Sequence, residues 1–391
     1  RSIDELPDAH LRRFSRPDVP PPAQIEDVHL IGICGTGMGA LAGLFQQAGV
    51  NVGGADDGVY PPMSTHLAER GIPVQEGYDP AHLEPPPDLT VVGNACTPTH
   101  PEAAHAREER LPQQSFPEAL AHCFLTDARR PLVVTGTHGK TTTTGLLIHL
   151  LRHAGRDPGF LVGGVMENSG QSYALGSDAP FVIEGDEYDS AYFDKRPKFM
   201  HYRPHAAVVS SVEFDHADIF ADRADYRSAF ENFVGLLDGD GLLALCGDDP
   251  DVRTLADHTS ASVRTYGLDP SNDVRAEDRT TTAEGQVFTL RLNGQHEEVR
   301  FPHPGRHNVE NALAAALLAH REGVSLPEIA AGLASFDGMK RRQEVRGRPN
   351  DVLVIDDFAH HPTAVQATVQ ALRAAHPHRR LVAIFEPRSN T

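Results

Sequence analysis

Lys140 and Thr141 follow two closely spaced glycines in Thr135-Gly-Thr-His-Gly-Lys-Thr-Thr-Thr-Thr144, an order of residue types suited to holding phosphate. Backbone N–H groups left bare by Gly136 and Gly139 can point at an anion, and Lys140 adds a mobile positive charge. Thr141 is placed to put its hydroxyl on Mg²⁺. The usual G-x-x-x-x-G-K-[ST] pattern would need glycine at position 134, where this chain has valine. The other reading is a helix-capping turn. Two further stretches carry chemistry. Phe181-Val-Ile-Glu-Gly-Asp-Glu-Tyr-Asp189 is an apolar run ending in four acids, among them Glu184, and these are either Mg²⁺ partners or a solvated loop. Ala206–Val212 leads to Glu213-Phe-Asp-His216, and His216 at such an end is a candidate metal ligand rather than a core histidine.

These residues need elements to hold them. Leu132–Val134 reads as a buried parallel strand and Gly145–Leu151 as the helix after the loop. Upstream, a strand at Val28–Ile33 runs into Gly35-Thr-Gly-Met-Gly-Ala40 and a helix to about Gln47. Gly35, Thr36, Gly37 and Met38 form a diphosphate-cradling turn of the G-x-G-x-x-[GA] type, with Asp56 about 20 residues on. Taken alone, this turn suggests an NAD-dependent oxidoreductase, but it would equally take a UDP-sugar. Asp56 and Asp57 either hold a ribose or cap the turn. Leu89–Val92 leads to Asn94, and helices near 101–109 and 116–124 complete a first α/β unit. Downstream come Phe160-Leu-Val-Gly-Gly164, a glycine-rich approach to a ligand, a strand at Gly241–Cys246 and a polar, hairpin-like stretch at 260–302. Asn308 and Asn311 open an Ala-rich helix, where their amides read an adenine edge or cap the helix. Val352–Ile355, a helix to about Ala375 and a strand at Leu381–Phe385 make a final strand-helix-strand unit. Such a unit cannot close a doubly wound sheet of about five or six strands, so the last domain reads as cut short.

Composition limits the alternatives. The 391 residues allow two or three domains, and the formal net charge of −19 with dispersed basic residues argues against a nucleic-acid surface. Four cysteines without C-x-x-C spacing fit a reducing cytoplasm rather than a zinc ribbon or disulfide framework. No apolar run approaches ~18 residues, the length that a membrane span needs. Arg1 to Pro22 is polar and reads as a mobile leader without a signal-peptide core.

The order G-x-G-x-x-A, T-G-T-H-G-K-T-T-T, E-G-D-E-Y-D, E-F-D-H-A-D, G-R-H-N-V-E-N, K-R-R-Q-E and D-D-F-A-H-H-P-T resembles the Mur ligases, from about Val28 to the last residue. The resemblance implies an α/β chain of three domains after a leader at 1–27. These are a Rossmann-like UDP-sugar domain at 28–128, a P-loop ATPase-like domain at 129–340, and a truncated Rossmann-like domain for the amino substrate at 341–391. It implies an ATP- and Mg²⁺-dependent amide ligase of the cytoplasm, acting on small molecules and not on nucleic acid or membrane. A truncated last domain would leave the chain itself inactive.

Within the family, D-D-F-A-H-H-P is shared with the L-alanine-adding branch. Tyr60-Pro-Pro-Met-Ser-Thr65, Glu187-Tyr-Asp-Ser-Ala-Tyr-Phe-Asp-Lys195 and Glu386-Pro-Arg-Ser-Asn-Thr391 resemble instead the branch that joins L-alanyl-γ-D-glutamyl-meso-diaminopimelate to UDP-N-acetylmuramate. The resemblance assigns Gly136, Thr137, His138, Gly139, Lys140, Thr141, Thr142 and Asn308 to the nucleotide, with Arg342 at its γ-phosphate. Thr141, Glu184 and His216 become metal ligands. Asp357 and His360 close onto nucleotide and amine, and Arg388 meets a peptide carboxylate. Gly35, Thr36, Gly37, Met38, Asp56 and Asn94 take the UDP-sugar. Several relatives carry a carbamylated lysine after the histidine strand. No lysine lies between Lys198 and Lys340 here, and Glu231 is the open substitute.

Overall fold

Short β-branched runs between glycine turns become parallel strands buried on both faces, and two sheets of them organise the chain. The computed structural model describes residues 3, 6, 8–217 and 219–386. The first sheet holds β1 (Asp27–Ile31), β2 (Asn51–Asp56), β3 (Val74–Glu76), β4 (Leu89–Val92) and β5 (Gln113–Ser115). They are parallel, in the order β3-β2-β1-β4-β5. The order reverses between β1 and β4, so the glycine turn after β1 opens at the crevice where such sheets bind ligands. The helix Thr36–Gln47 follows that turn.

The second sheet holds β6 (Arg130–Thr135), β7 (Gly159–Leu161), β8 (Tyr173–Ala174) and β9 (Pro180–Gly185). A separate hairpin, β10 (Asp189–Ala191) with β11 (Asp194–Pro197), intervenes. The sheet then adds β12 (Ala206–Val209), β13 (Leu242–Cys246), β14 (Ser262–Gly267), β15 (Val274–Thr282), β16 (Gly285–Leu292) and β17 (Gln295–Phe301). Its order is β17-β16-β15-β14-β13-β12-β6-β9-β7-β8. β6 lies between β12 and β9, parallel to both, with Val134 opposite Glu184 and Thr135 opposite Val209. The helices Lys140–His153 and Arg306–Arg321 pack together, each with a buried, Leu- and Ala-rich side.

The two sheets meet through small residues. A Cβ on Gly43 would lie 2.0 Å from Tyr173 Cζ, so only glycine lets the Thr36–Gln47 helix approach β8 this closely. Gln47 Oε1 also accepts from the Leu175 amide at 2.8 Å. The stretch expected as a mobile leader makes contacts here as well. Arg12 donates to the Tyr192 carbonyl at 3.1 Å, and Arg16 grips Glu118 with both guanidinium arms, at 2.7 and 2.9 Å.

Several expected elements change shape. The strand expected over Ala206–Val212 leaves the sheet after Val209, because residues 210–213 turn to bond the phosphate loop. The hairpin-like stretch is one parallel strand, β14, followed by the antiparallel run β15–β17. In the third region β18 (Glu344–Gly347) pairs antiparallel with β19 (Val354–Asp356), and the helix Pro362–Ala375 follows. Residues 381–386 are not a strand, which corrects that expectation. No neighbour among the described residues offers them a ladder, and Ile384 stands 97% exposed.

Candidate active site

The phosphate loop is shaped by two glycines with positive φ, Gly136 at 127° and Gly139 at 82°. A Cβ on Gly136 would lie 2.2 Å from Ser210 Oγ, so no side chain fits there. The loop is stitched to the end of β12. Thr137 N donates to Ser211 O at 3.1 Å, and His138 N donates to Ser211 Oγ at 3.0 Å. Thr137 Oγ1 donates to the Glu213 carbonyl at 2.8 Å and lies 2.9 Å from Tyr226 Oη.

Lys140 Nζ donates to Gly136 O at 2.8 Å and to Glu187 Oε2 at 2.7 Å. Burial would lower its pKa, but Glu187 and Asp186 more than offset this and hold it above the ordinary lysine value. Thr141 Oγ1 donates to Glu184 Oε2 at 3.3 Å and accepts from Arg342 Nη2 at 3.1 Å. The Gly163 amide donates to Glu184 Oε1 at 2.9 Å. A Cβ on Gly164 would meet Thr141 Cγ2 at 2.8 Å, so this pair of glycines brings backbone against Glu184 and Thr141. Burial, then the neighbouring Asp186, push the Glu184 carboxyl up to about 7. His216, at φ 56°, sets Nε2 3.5 Å from Glu187 Oε1. Burial would lower its pKa, but the Glu187 carboxylate outweighs that and raises it.

Thr141 and Glu184 are therefore in direct contact, while His216 joins them through Glu187 and Lys140. Glu187, 1% exposed and central to this arrangement, is absent from the sequence-based set. The four acids at and just beyond the end of β9 gave the signal but not which of them turns inward. Tyr226, Glu213 and His361 are likewise missing from that set.

A cavity of about 730 Å³ opens beside the loop, lined among others by Gly139, Thr142, Asn308, Arg342 and Asp357. That volume suits a nucleotide. Asn308 Nδ2 donates to Pro304 O at 2.8 Å, which ties the helix to the segment before it without capping a helix amide, while Asn311 Oδ1 accepts from Thr143 Oγ1 at 3.1 Å and underlies the loop. Asp357 accepts from the amides of Gln343 at 2.9 Å and Ala359 at 2.8 Å. His360 is exposed, with Nδ1 3.1 Å from the Phe358 carbonyl oxygen.

In the first sheet Gly35 caps the helix whose opening residues are Thr36, Gly37 and Met38. Asp56 accepts from the amides of Cys34 at 2.9 Å and Gly58 at 2.7 Å, the capping alternative. Asn94 donates to Asp189 at 3.2 Å, bridging to the second sheet's hairpin. Glu231 pairs with Arg227 at 2.8 Å and lies 3.6 Å from His258. Tyr226, on the same helix, reaches the loop instead. Arg388 lies outside the described residues.

Comparison with known proteins adds lineage to this geometry. The Mur ligase family catalytic domain matches residues 27–126, the Mur ligase middle domain 134–319, and the Mur ligase glutamate ligase domain 341–391. The chain is 42% identical over 370 residues to the UDP-N-acetylmuramate–L-alanyl-γ-D-glutamyl-meso-2,6-diaminoheptandioate ligase of Haemophilus influenzae, covering 94% of this chain and 81% of that one. It is 38% identical to the UDP-N-acetylmuramate–L-alanine ligase of Mycolicibacterium gilvum, covering 94% and 78%. The crystal structure of a murein peptide ligase from Psychrobacter arcticus superposes with TM-score 0.79 at 39% identity, over 94% of this chain and 80% of that one.

Proposed function

The chain belongs to the Mur ligase family, and we propose that it joins UDP-N-acetylmuramate to L-alanyl-γ-D-glutamyl-meso-diaminopimelate at the expense of ATP. It is an ATP-dependent ligase that forms an amide between a carboxylic acid and a peptide. The observation that carries the site reading is the convergence of Lys140, Thr141, Glu184, Glu187 and His216 at the ends of three adjacent parallel strands.

In this reading the lactyl carboxylate attacks the γ-phosphorus of ATP, giving an acyl phosphate and ADP. The alanyl amine then attacks the acyl carbon, and phosphate leaves. Such transfers need charge neutralised and reactants aligned rather than covalent help. Lys140 turns from Glu187 to the β- and γ-phosphates. Arg342, already on the Thr141 hydroxyl, meets the γ-phosphate. Thr141 and Glu184 would hold Mg²⁺, and His216, which sits on Glu187 instead of beside them, would serve a second cation. A carboxyl held near pH 7 by burial is one that a bound cation returns to its charged form. Bound there, Mg²⁺ would neutralise phosphate charge. Gly35–Met38 cradle the UDP diphosphate, and Asp357 and His360 face nucleotide and amine. No helix among the described residues is long and apolar enough to cross a membrane, and the four unpaired cysteines support a cytoplasmic setting.

Release of ADP and phosphate should require UDP-N-acetylmuramate and the tripeptide together, and Lys140→Ala should abolish it. Equal turnover with free L-alanine would instead assign the chain to the biosynthetic branch, whose Mycolicibacterium member is nearly as similar.

A further inference from the structure

Glu213 stands where three elements meet, and the reaction as derived above leaves it without a role. Its backbone ties the end of β12 to the phosphate loop twice: Glu213 N donates to Thr137 Oγ1 at 2.9 Å, and its carbonyl accepts from the same hydroxyl at 2.8 Å. Its side chain then divides between the loop and the third region. Oε2 lies 2.9 Å from His138 Nε2, on the loop itself. Oε1 accepts from Thr363 Oγ1 at 2.6 Å and lies 3.8 Å from His361 Nδ1. The two imidazoles flank it with ring centroids 4.7 Å apart.

Thr363 lies in the first turn of the 14-residue helix Pro362–Ala375, and His361 is that helix's N-cap. The carboxylate thus sits against the positive end of the helix, a favourable place for an anion. The same helix lines the cavity beside the loop through Thr363, Ala364, Ala367 and Ala371. The beginning of the third region is tied separately, by Arg342 Nη2 donating to Thr141 Oγ1 at 3.1 Å and by Gln343 Nε2 lying 3.1 Å from His307 Nε2. The helix start is therefore fixed to the phosphate loop mainly through the Glu213 carboxylate, together with the wall it forms on the cavity.

We propose that Glu213 is a positioning residue for the ligase reaction, one carboxylate that clasps the start of the Pro362–Ala375 helix to the phosphate loop so that the amine-bringing region closes over the acyl phosphate. This rests on the ligase reading. The clasp acts on the second half-reaction. Loop geometry survives its loss because the Ser211 bonds to Thr137 and His138 remain, whereas the angle at which the third region meets the loop does not.

The test uses the full chain and Thr363→Val, which keeps shape and removes the donor, beside Glu213→Ala and Glu213→Gln. Thr363→Val should raise the tripeptide KM about tenfold while calorimetric ATP affinity stays within about twofold, and joined to Glu213→Ala it should add little, since both remove one interaction. Glu213→Gln, which keeps an acceptor oxygen for Thr363, should recover most of the loss. A tripeptide KM within about twofold of the parent in Thr363→Val, or losses that multiply in the double variant, would overturn the clasp. If the unaltered chain turns over no tripeptide, that result bears on the ligase reading and on the shortened last domain, not on the clasp. Amide hydrogen exchange still reads the clasp, as faster exchange in Pro362–Ala375 for Thr363→Val, and equal exchange would sink it. Should Glu213→Ala fail to fold, Thr363→Val alone decides.

Discussion

Glu187 holds together what three strand ends supply separately: a 1%-exposed carboxylate with Lys140 on one oxygen and His216 facing the other. Glu187→Gln leaves a mostly buried ammonium without that partner, so up to roughly 3–5 kcal/mol of stability should be lost, read by urea unfolding. ATP should restore part of it by giving Lys140 new anions. The sequence marked the acids at and beyond the end of β9 as ligands but could not select Glu187. Strand alternation sorts side chains only as far as Gly185, where β9 ends. The same limit hid His361 behind His360, since adjacent histidines in a loop have no periodicity to divide them. A second residue makes a pH prediction. His307 is pushed down to about 4, first by burial, with Asp357 opposing. The unfolded chain takes up this proton near pH 6.5 and the folded chain only near 4. Stability should therefore fall as pH drops through that window, by up to about 3 kcal/mol. Urea unfolding at several pH values should show a flatter acid limb for His307→Asn than for the parent.

Strands and helices were legible where an apolar run had a partner and misleading where it had none. β6 and the helix after it follow directly from Leu132–Val134 and the Leu-rich Gly145–Leu151 stretch. Leu381–Phe385 has equal strand character but lies beside nothing that could pair with it among the described residues. Its sequence describes a surface waiting for a neighbour, and propensity alone does not make a ladder. The packing of the Thr36–Gln47 helix on β8 was invisible in the sequence because it depends on a residue that lacks a side chain. Gly43→Ala drives a methyl into the ring of Tyr173, which is only 4% exposed. It should cost about 1–3 kcal/mol in urea unfolding. Tyr173→Ala in the same chain should relieve part of that cost, so the two changes should be non-additive.

Across the whole molecule, charge and apolar surface pull in opposite directions. A net charge of −19 keeps copies apart, yet Val345, Val352, Val382, Ile384 and Phe385, all in the third region, are each more than half exposed. Salt screens the repulsion and leaves the apolar attraction, so sedimentation should show self-association rising with ionic strength. Val352→Ser with Ile384→Ser should suppress it. The register of the second sheet has a wider effect. Val134 faces Glu184 and Thr135 faces Val209, so the loop, its acids and its histidine are carried by one set of ladder bonds that no other region has to complete. The region proposed to bring the amine joins from outside that ladder, through a few side-chain bonds. Nature thus has an engine with a detachable gripper. A new acceptor could be recruited by exchanging the gripper, provided that it still lends Arg342, Asp357 and a wall to the nucleotide cavity.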